Sequence, residues 1–181
     1  RVWAKLGSMI GYTGNVKLER QGMMEGGIGK MFKKAVTGEA NPMMKADGQG
    51  RVYFADSGKK VRILTLQDEM LFVNGNNVLA FDDSIKWDIK MMKRMAGMAA
   101  GGLFNMQIQG SGNIAITTHF DPITLAVHPD QPIYTDPNAT IAWSSSLTPE
   151  IKTDITLKSL FGRGSGESFQ LAFKGQGWVV L

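Results

Sequence analysis

The sequence contains no cysteine, and this absence removes several classes of site at once. Disulfide bonds, thiol nucleophiles and cysteine-based zinc sites are excluded, which fits a reducing compartment. Only two histidines are present, His119 and His128, and each stands close to a turn that contains proline and aspartate. We interpret both as solvated turn residues rather than as catalytic bases or metal ligands. The sequence therefore predicts no metal site.

Long apolar runs are also missing. No stretch of eighteen apolar residues occurs, so the sequence predicts no membrane-spanning helix. No signal peptide is visible, although the chain starts at Arg1 and we expect a segment upstream of it. The formal net charge of +4 permits contact with nucleic acid or anionic lipid without requiring either. We predict a cytoplasmic bacterial protein, with a membrane-peripheral location as the alternative.

The glycines do not form a known phosphate or dinucleotide loop. The segment Gly26-Gly27-Ile28-Gly29-Lys30 has Met24 where a phosphate loop needs its first glycine, and Met31 where it needs serine or threonine. No Gly-x-Gly element is followed by a third glycine and a helix. Ser144-Ser145-Ser146 lacks the glycines of a nucleophile elbow. We therefore predict a protein that is not an enzyme and binds no cofactor.

What the sequence does contain is a threefold internal repeat. A shift of 62 residues places Gly48-Gln49-Gly50 on Gly110-Ser111-Gly112, and Leu79-Ala80-Phe81 on Ile141-Ala142-Trp143. A shift of 69 residues brings the N-terminal part of the chain into the same frame, with Tyr12 on Phe81. Such self-similarity is the mark of a repeat architecture.

Two sets of aromatic residues recur in this repeat. The first set is Trp3, Phe72 and Tyr134, and the second is Tyr12, Phe81 and Trp143. Aromatic side chains at equivalent positions could stack on bases or sugars, but repeated aromatics usually fill repeated interior space. We therefore predict that both sets lie in the core.

Period-two alternation surrounds each Gly-x-Gly and favours strands over helices. Phe104, Met106 and Ile108 alternate before Gly110, and Ile114 and Ile116 alternate after it. The glycines are thus predicted to bend a strand. We expect an all-β fold, a double-stranded β-helix or β-sandwich-like arrangement with pseudo-threefold repetition.

We predict a single domain over residues 1–181. Its repeat copies are about 1–47 with 175–181, then 48–109, then 110–174. The strand equivalent to Val61–Thr65 has no counterpart in the first copy, so we expect it upstream of Arg1.

Two glycine- and methionine-rich connections interrupt the pattern, at residues 21–45 and 90–106. They hold ten of the twelve methionines beside seven Lys or Arg side chains. Residues 28–36 are predicted to form one short basic helix that ends at Gly38. One interpretation is that these loops cover sheet edges; the other is a partner-binding or membrane-binding surface. The candidate surface residues are Lys30, Met31, Phe32, Lys33, Lys34, Lys93 and Arg94.

With the repeat established, the sequence resembles a known family along nearly its whole length: the mitochondrial-biogenesis family named for altered inheritance of mitochondria, protein 24. The resemblance rests on short motifs in a particular order. They are Leu6-Gly7-Ser8-Met9-Ile10, Gly26-Gly27, Phe32-Lys33-Lys34, Thr37-Gly38-Glu39, Leu79-Ala80-Phe81-Asp82, Gly110-Ser111-Gly112, Gly166-Glu167 and Phe173-Lys174-Gly175-Gln176-Gly177.

This resemblance implies a fold like that of the tryptophan RNA-binding attenuation protein, and it implies homo-oligomerisation. It carries over no catalytic residue. We therefore predict a non-enzymatic scaffold or binding module that acts as an oligomer. The alternatives are an RNA-binding ring protein and a peripheral membrane-organising protein that uses the basic, Met-rich loops.

Overall fold

The computed structural model describes residues 1–20, 43–90, 105–153 and 169–181, and most of them lie in antiparallel strands. The only helical element among these residues is a 3-10 turn, Gly75–Asn77, which Asn74 caps. The strands are β1 Val2–Lys5, β2 Met9–Arg20, β3 Met43–Phe54, β4 Lys60–Asn74, β5 Val78–Asp82, β6 Lys86–Lys90, β7 Asn105–Thr118, β8 Thr124–Val127, β9 Ile133–Thr135, β10 Ala142–Ser144, β11 Glu150–Thr153, β12 Phe169–Phe173 and β13 Gly177–Val180.

Residues 1–121 form the first of two compact units. Its strands follow the order β2-β3-β1-β5-β7-β4, and β6 also pairs with β7. Two stretches of β7 have different partners on the same edge: residues 105–109 pair with β6, and residues 114–116 pair with β5. The bend between them brings the Trp87 ring of β6 to 6.0 Å from Phe81 and 5.9 Å from Trp3. These edge-to-face contacts join two layers of sheet across an apolar interior.

Residues 122–181 form the second unit, which contains two three-stranded groups. One group has the order β10-β13-β8, and the other β11-β12-β9. The Trp143 ring of the first group lies 5.6 Å from the Phe173 ring of the second, and both side chains are buried. The all-β, sandwich-like class with antiparallel sheets is confirmed. That the chain is one domain stays a prediction.

The strand register confirms the threefold repeat residue by residue. Where Val2 pairs with Ala46, the next copy pairs Leu71 with Ile108, and the third pairs Ile133 with Phe173. From copy to copy the first residue of the pair is shifted by 69 and then 62 positions, and the second by 62 and then 65. The same shifts relate three further pairs: Glu19 with Lys45, Asp88 with Gln107 and Glu150 with Ala172. Equivalent residues in sequence therefore have equivalent partners in the sheets.

The first glycine of each bend has a backbone conformation that L side chains rarely adopt. Gly48, Gly110 and Gly175 have φ angles of +125°, +124° and +115°. In two of the bends a serine hydroxyl closes the turn, since Ser84 donates to the Ser111 carbonyl and Ser146 to the Gln176 carbonyl, each within 2.8 Å. The glycines are thus required by backbone geometry. The predicted helix at residues 28–36 lies outside the described residues.

Candidate interaction surface

The repeat contains three equivalent strand pairings, which we call junctions. In each junction an aromatic residue lies opposite a β-branched residue on the strand that follows a glycine bend. The first junction pairs Tyr12 of β2 with Val52 of β3. The second pairs Phe81 of β5 with Ile114 of β7, and the third pairs Trp143 of β10 with Val179 of β13. Paired residues in antiparallel strands point to the same face. Each junction therefore presents one apolar face.

The faces of the second and third junctions are buried. Phe81 is 2% exposed, Trp143 is 3% exposed, and Ile114 and Val179 have no exposed surface. Their apolar neighbours in the repeat are buried too: Leu79, Ile85, Ile141 and Leu147. These residues supply much of the core of the two units.

The first junction is open by comparison. Tyr12 is 50% exposed and Ile10, the equivalent of Leu79, is 71% exposed. Val16 and Val52 are half-buried where their counterparts are fully covered. We call Ile10, Tyr12, Val16 and Val52 the open junction. Because the exposure of apolar side chains to water is unfavourable in free energy, a face of this composition is suited to contact with another apolar surface.

Strand pairing among the described residues accounts for the difference in burial. In the second junction Ile114 has Phe81 on one side and Leu64 of β4 on the other. In the third junction Val179 likewise lies between Trp143 and Leu125 of β8.

In the first junction Val52 has Tyr12 on one side and, among the described residues, no strand partner on the other. β1 pairs with β3 over Met43–Ala46, and no strand in the described part of the chain pairs with the far side of residues 48–54. This open edge of β3 and the open junction belong to the same strand.

Hydrogen bonds hold both ends of this edge. At the C-terminal end the Asp56 carboxylate accepts hydrogen bonds from Lys59 Nζ at 2.9 Å, Lys5 Nζ at 3.2 Å and Thr117 Oγ1 at 3.1 Å. Partial burial opposes ionisation of Asp56, but the hydrogen bonds from Lys59 and Lys5 outweigh it and lower the pKa of this carboxyl. The network fixes the residues that follow β3.

At the N-terminal end Arg1 binds Asp47, with Nη2 and Oδ2 2.8 Å apart. The hydrogen bond from Arg1 lowers the pKa of the exposed Asp47 carboxyl. Asp47 also accepts a hydrogen bond from the Gly48 amide at 2.9 Å, so the ion pair is joined to the bend itself. The open edge is therefore a defined strand segment between two anchored ends.

The prediction that both aromatic sets are core residues is only partly confirmed. Phe81 and Trp143 are buried, and Trp3 and Phe72 are half-buried. For Tyr12 and Tyr134 the prediction is wrong: Tyr134 is 47% exposed, and Lys152 Nζ lies 4.7 Å from its ring centroid. The positions are equivalent in register, but the layers that cover them differ. The sequence repeat showed that these positions are equivalent, but it could not show which of them other strands cover.

The candidate surface predicted from sequence lies outside the described residues. This holds for Lys30, Met31, Phe32, Lys33, Lys34, Lys93 and Arg94. The open junction was not predicted, since the alignment of Ile10 and Tyr12 with Leu79 and Phe81 indicates core positions.

The two histidines, His119 and His128, are both exposed to solvent, as the sequence predicted. Across residues 1–20, 43–90, 105–153 and 169–181, no three His, Asp or Glu side chains are grouped so that they could hold a metal ion. Over the same ranges no helix is long and apolar enough to cross a membrane.

Comparison with known proteins identifies the family and a solved structure of similar fold. A family model described as "Mitochondrial biogenesis AIM24" matches residues 1–181. The crystal structure of protein SPYM3_0169 from Streptococcus pyogenes is similar to this chain, with a TM-score of 0.77 at 23% sequence identity, and the match covers 99% of this chain and 81% of that one. At this identity the likeness shows the fold alone. Among curated proteins none matches the chain.

Proposed function

The chain belongs to the mitochondrial biogenesis AIM24 family, and from that premise we propose that it is a non-enzymatic binding module that works as a homo-oligomer through the open junction. One observation carries the proposal: positions that are core residues in the second and third junctions are exposed in the first. Ile10 and Tyr12 are 71% and 50% exposed, against 3% and 2% for Leu79 and Phe81.

The energetics support contact with an apolar partner. Covering the exposed parts of Ile10 and Tyr12 would contribute roughly 1 kcal/mol each from the apolar area removed from water. Aromatic residues such as Tyr12 are enriched at protein interfaces because a rigid ring supplies large contact area at little cost in entropy. Val16 and Val52 beside them widen the apolar patch. The composition of the open junction is therefore that of an interface centre.

Two exposed residues in the same unit offer a matched control for testing this proposal. Ile63 is 61% exposed and Phe120 is 82% exposed, and neither belongs to the open junction. Substitution of Ile10 and Tyr12 together by serine should abolish self-association measured by light scattering after size exclusion. Substitution of Ile63 and Phe120 together by serine should leave it unchanged. A wild-type chain that stays monomeric, or equal loss in both variants, would contradict the proposal.

We also propose the finer fold that the resemblance implies, a double-stranded β-helix of the tryptophan RNA-binding attenuation protein type. From the composition we propose a cytoplasmic bacterial location, with a membrane-peripheral location as the alternative. Neither a reaction nor a cofactor is part of the proposal.

The two alternative functions remain predictions from the sequence. For the membrane-organising function, flotation with anionic liposomes should be lost when Lys33 and Lys34 are both replaced by glutamate. Binding that is unchanged in this variant would exclude the use of that loop. For the RNA-binding function, affinity should fall steeply with salt concentration, and affinity that does not depend on salt would exclude it.

A further inference from the structure

The outward face of β4 carries the most exposed methionine among the described residues. Leu71 and Val73 of this strand are buried, at 7% and 0% exposed. Because successive side chains of a strand point to opposite faces, Met70 lies on the other face, and it is 37% exposed. The side chain of Met70 is therefore accessible to reagents in solution.

The other methionines of the described segments are better covered. Met43 is 1% exposed, Met44 is 6% exposed and Met106 has no exposed surface, while Met9 is half-buried. The three buried side chains fill space in the core, which is the usual role of this flexible residue. Since they differ from Met70 in accessibility, they should also differ from it in reactivity.

A hydrogen bond from the neighbouring strand engages the sulfur of Met70. Gln107 Nε2 of β7 donates to Met70 Sδ, and the two atoms are 2.9 Å apart. The contact is diagonal, since Met70 lies directly opposite Gln109, and Gln107 lies directly opposite Phe72. Diagonal neighbours on one face of an antiparallel pair are within reach of long side chains. On its other side Gln107 lies opposite Asp88 of β6.

The stereochemistry of sulfur gives this contact a chemical consequence. A thioether sulfur has two lone pairs, and oxidation at one or the other produces sulfoxides of opposite configuration at sulfur. Gln107 engages one lone pair of Met70, and its side chain occupies the space on that side. An oxidant therefore approaches through the other lone pair. The arrangement favours one of the two sulfoxide epimers.

We infer that Met70 is a reversible oxidation site at which Gln107 selects the sulfoxide epimer. The oxidant is a peroxide: the free lone pair of Sδ attacks one peroxide oxygen, an S–O bond forms and the O–O bond breaks. The second oxygen takes up the proton of the first and leaves as water, so that sulfur is oxidised by two electrons and the peroxide is reduced by two. Each class of methionine sulfoxide reductase accepts one epimer, so a single class should restore Met70.

Treatment of the folded chain with hydrogen peroxide tests both parts of this inference. Trypsin releases residues 63–86, in which Met70 is the only methionine, and residues 35–45, which contain Met43 and Met44. Mass spectrometry at short reaction times should find the first peptide oxidised and the second unchanged. Chromatography of the oxidised peptide 63–86 should show one epimer in about fivefold excess, the size expected if a side-chain hydrogen bond blocks one lone pair.

Substitutions on β7 test the selecting residue. Gln107→Ala removes the donor and should bring the two epimers to nearly equal amounts. Gln107→Glu keeps the length of the side chain, but its ionised carboxylate cannot donate a hydrogen bond, so it should have the same effect. The matched control is Gln109→Ala, because Gln109 lies directly opposite Met70 but is not the donor to its sulfur. This variant should keep the wild-type excess, and circular dichroism checks the fold of all three.

Oxidation of the wild-type chain unfolded in urea provides the reference state. There Met70, Met43 and Met44 should react alike, and the excess of one epimer should disappear. Oxidation of Met70 no faster than that of Met43 and Met44 in the folded chain would overturn the inference. Equal epimers in the folded wild type, or an unchanged excess in both Gln107 variants, would overturn it as well. The open junction has no part in these measurements, so a monomeric chain would contradict the proposed function and leave this inference intact.

Discussion

The first and second junctions lie in the same unit of the molecule and share their residue pattern, yet one is solvent-exposed and the other is core. Tyr12 and Phe81 occupy the same repeat position and pair with Val52 and Ile114 respectively, but their exposures are 50% and 2%. What differs is the third strand, since β4 pairs with the far side of β7 and no described strand pairs with that side of β3 over residues 48–54. In a repeat protein, burial at a position depends on the neighbouring copy as much as on the residue.

The largest expected effect comes from truncating the two aromatic residues. Phe81→Ala should lower the free energy of unfolding by about 3–5 kcal/mol, because it leaves a cavity in a packed core. Tyr12→Ala should cost less than about 1 kcal/mol in the monomer, since half of the ring is already in water. Denaturant unfolding at concentrations that keep the chain monomeric measures both. Equal losses would show that the first junction is covered after all.

The glycine bends extend the comparison to the backbone. A Cβ on Gly48 would lie 2.2 Å from the Asn15 carbonyl oxygen, whereas the nearest atom to a Cβ on Gly110 is 3.5 Å away. Both residues have a φ near +125°, so alanine strains the backbone at each. We expect a loss of about 1–2 kcal/mol for Gly110→Ala and about 2–4 kcal/mol for Gly48→Ala. A larger loss at Gly110 would argue against the close approach of β2 and β3 at the first bend.

A smaller effect should follow from the network that anchors the end of β3. Asp56→Asn leaves Lys5 and Lys59 without their shared carboxylate and should cost about 1–2 kcal/mol. Because the folded pKa of Asp56 is lowered, its stabilising effect is present above the ordinary carboxyl pKa of about 4 and is lost as pH falls through the folded value. Unfolding curves of wild type and Asp56→Asn should therefore converge at acid pH.

Asp121 provides the control for this prediction. Its pKa is also lowered, by hydrogen bonds from Lys60 and Arg62, but the side chain is exposed to solvent. Surface ion pairs contribute little to stability. Asp121→Asn should leave the unfolding midpoint almost unchanged, and a loss equal to that of Asp56→Asn would remove the distinction between the two networks.

The sequence predicted the repeat, the strands and the glycine bends well, because each depends on local periodicity. Gly48, Gly110 and Gly175 align in one frame of the repeat from residue type and spacing alone, and all three have a positive φ angle at a bend. The Gly-x-Gly elements bend the backbone as predicted, and Ser84 and Ser146 close two of these bends.

The exposed position of Tyr12 could not be predicted in the same way. Ile10 and Tyr12 are apolar like Leu79 and Phe81, and only the number of strands around them decides whether they are covered. Pairing on the far side of a strand is a non-local property, and residue type does not encode it. The basic, Met-rich residues favoured by sequence, Lys33 and Arg94 among them, lie outside the described residues and stay a prediction.

The most direct test of the account is a disulfide between two copies of the first junction. The chain has no cysteine, so Val52→Cys introduces a single thiol in the open junction. Under mild oxidation at micromolar concentration this variant should form a covalent dimer in high yield. Phe120→Cys, whose position is 82% exposed and therefore more accessible, should form much less. A yield at position 52 no higher than that at position 120 would contradict the association of two copies through the open junction.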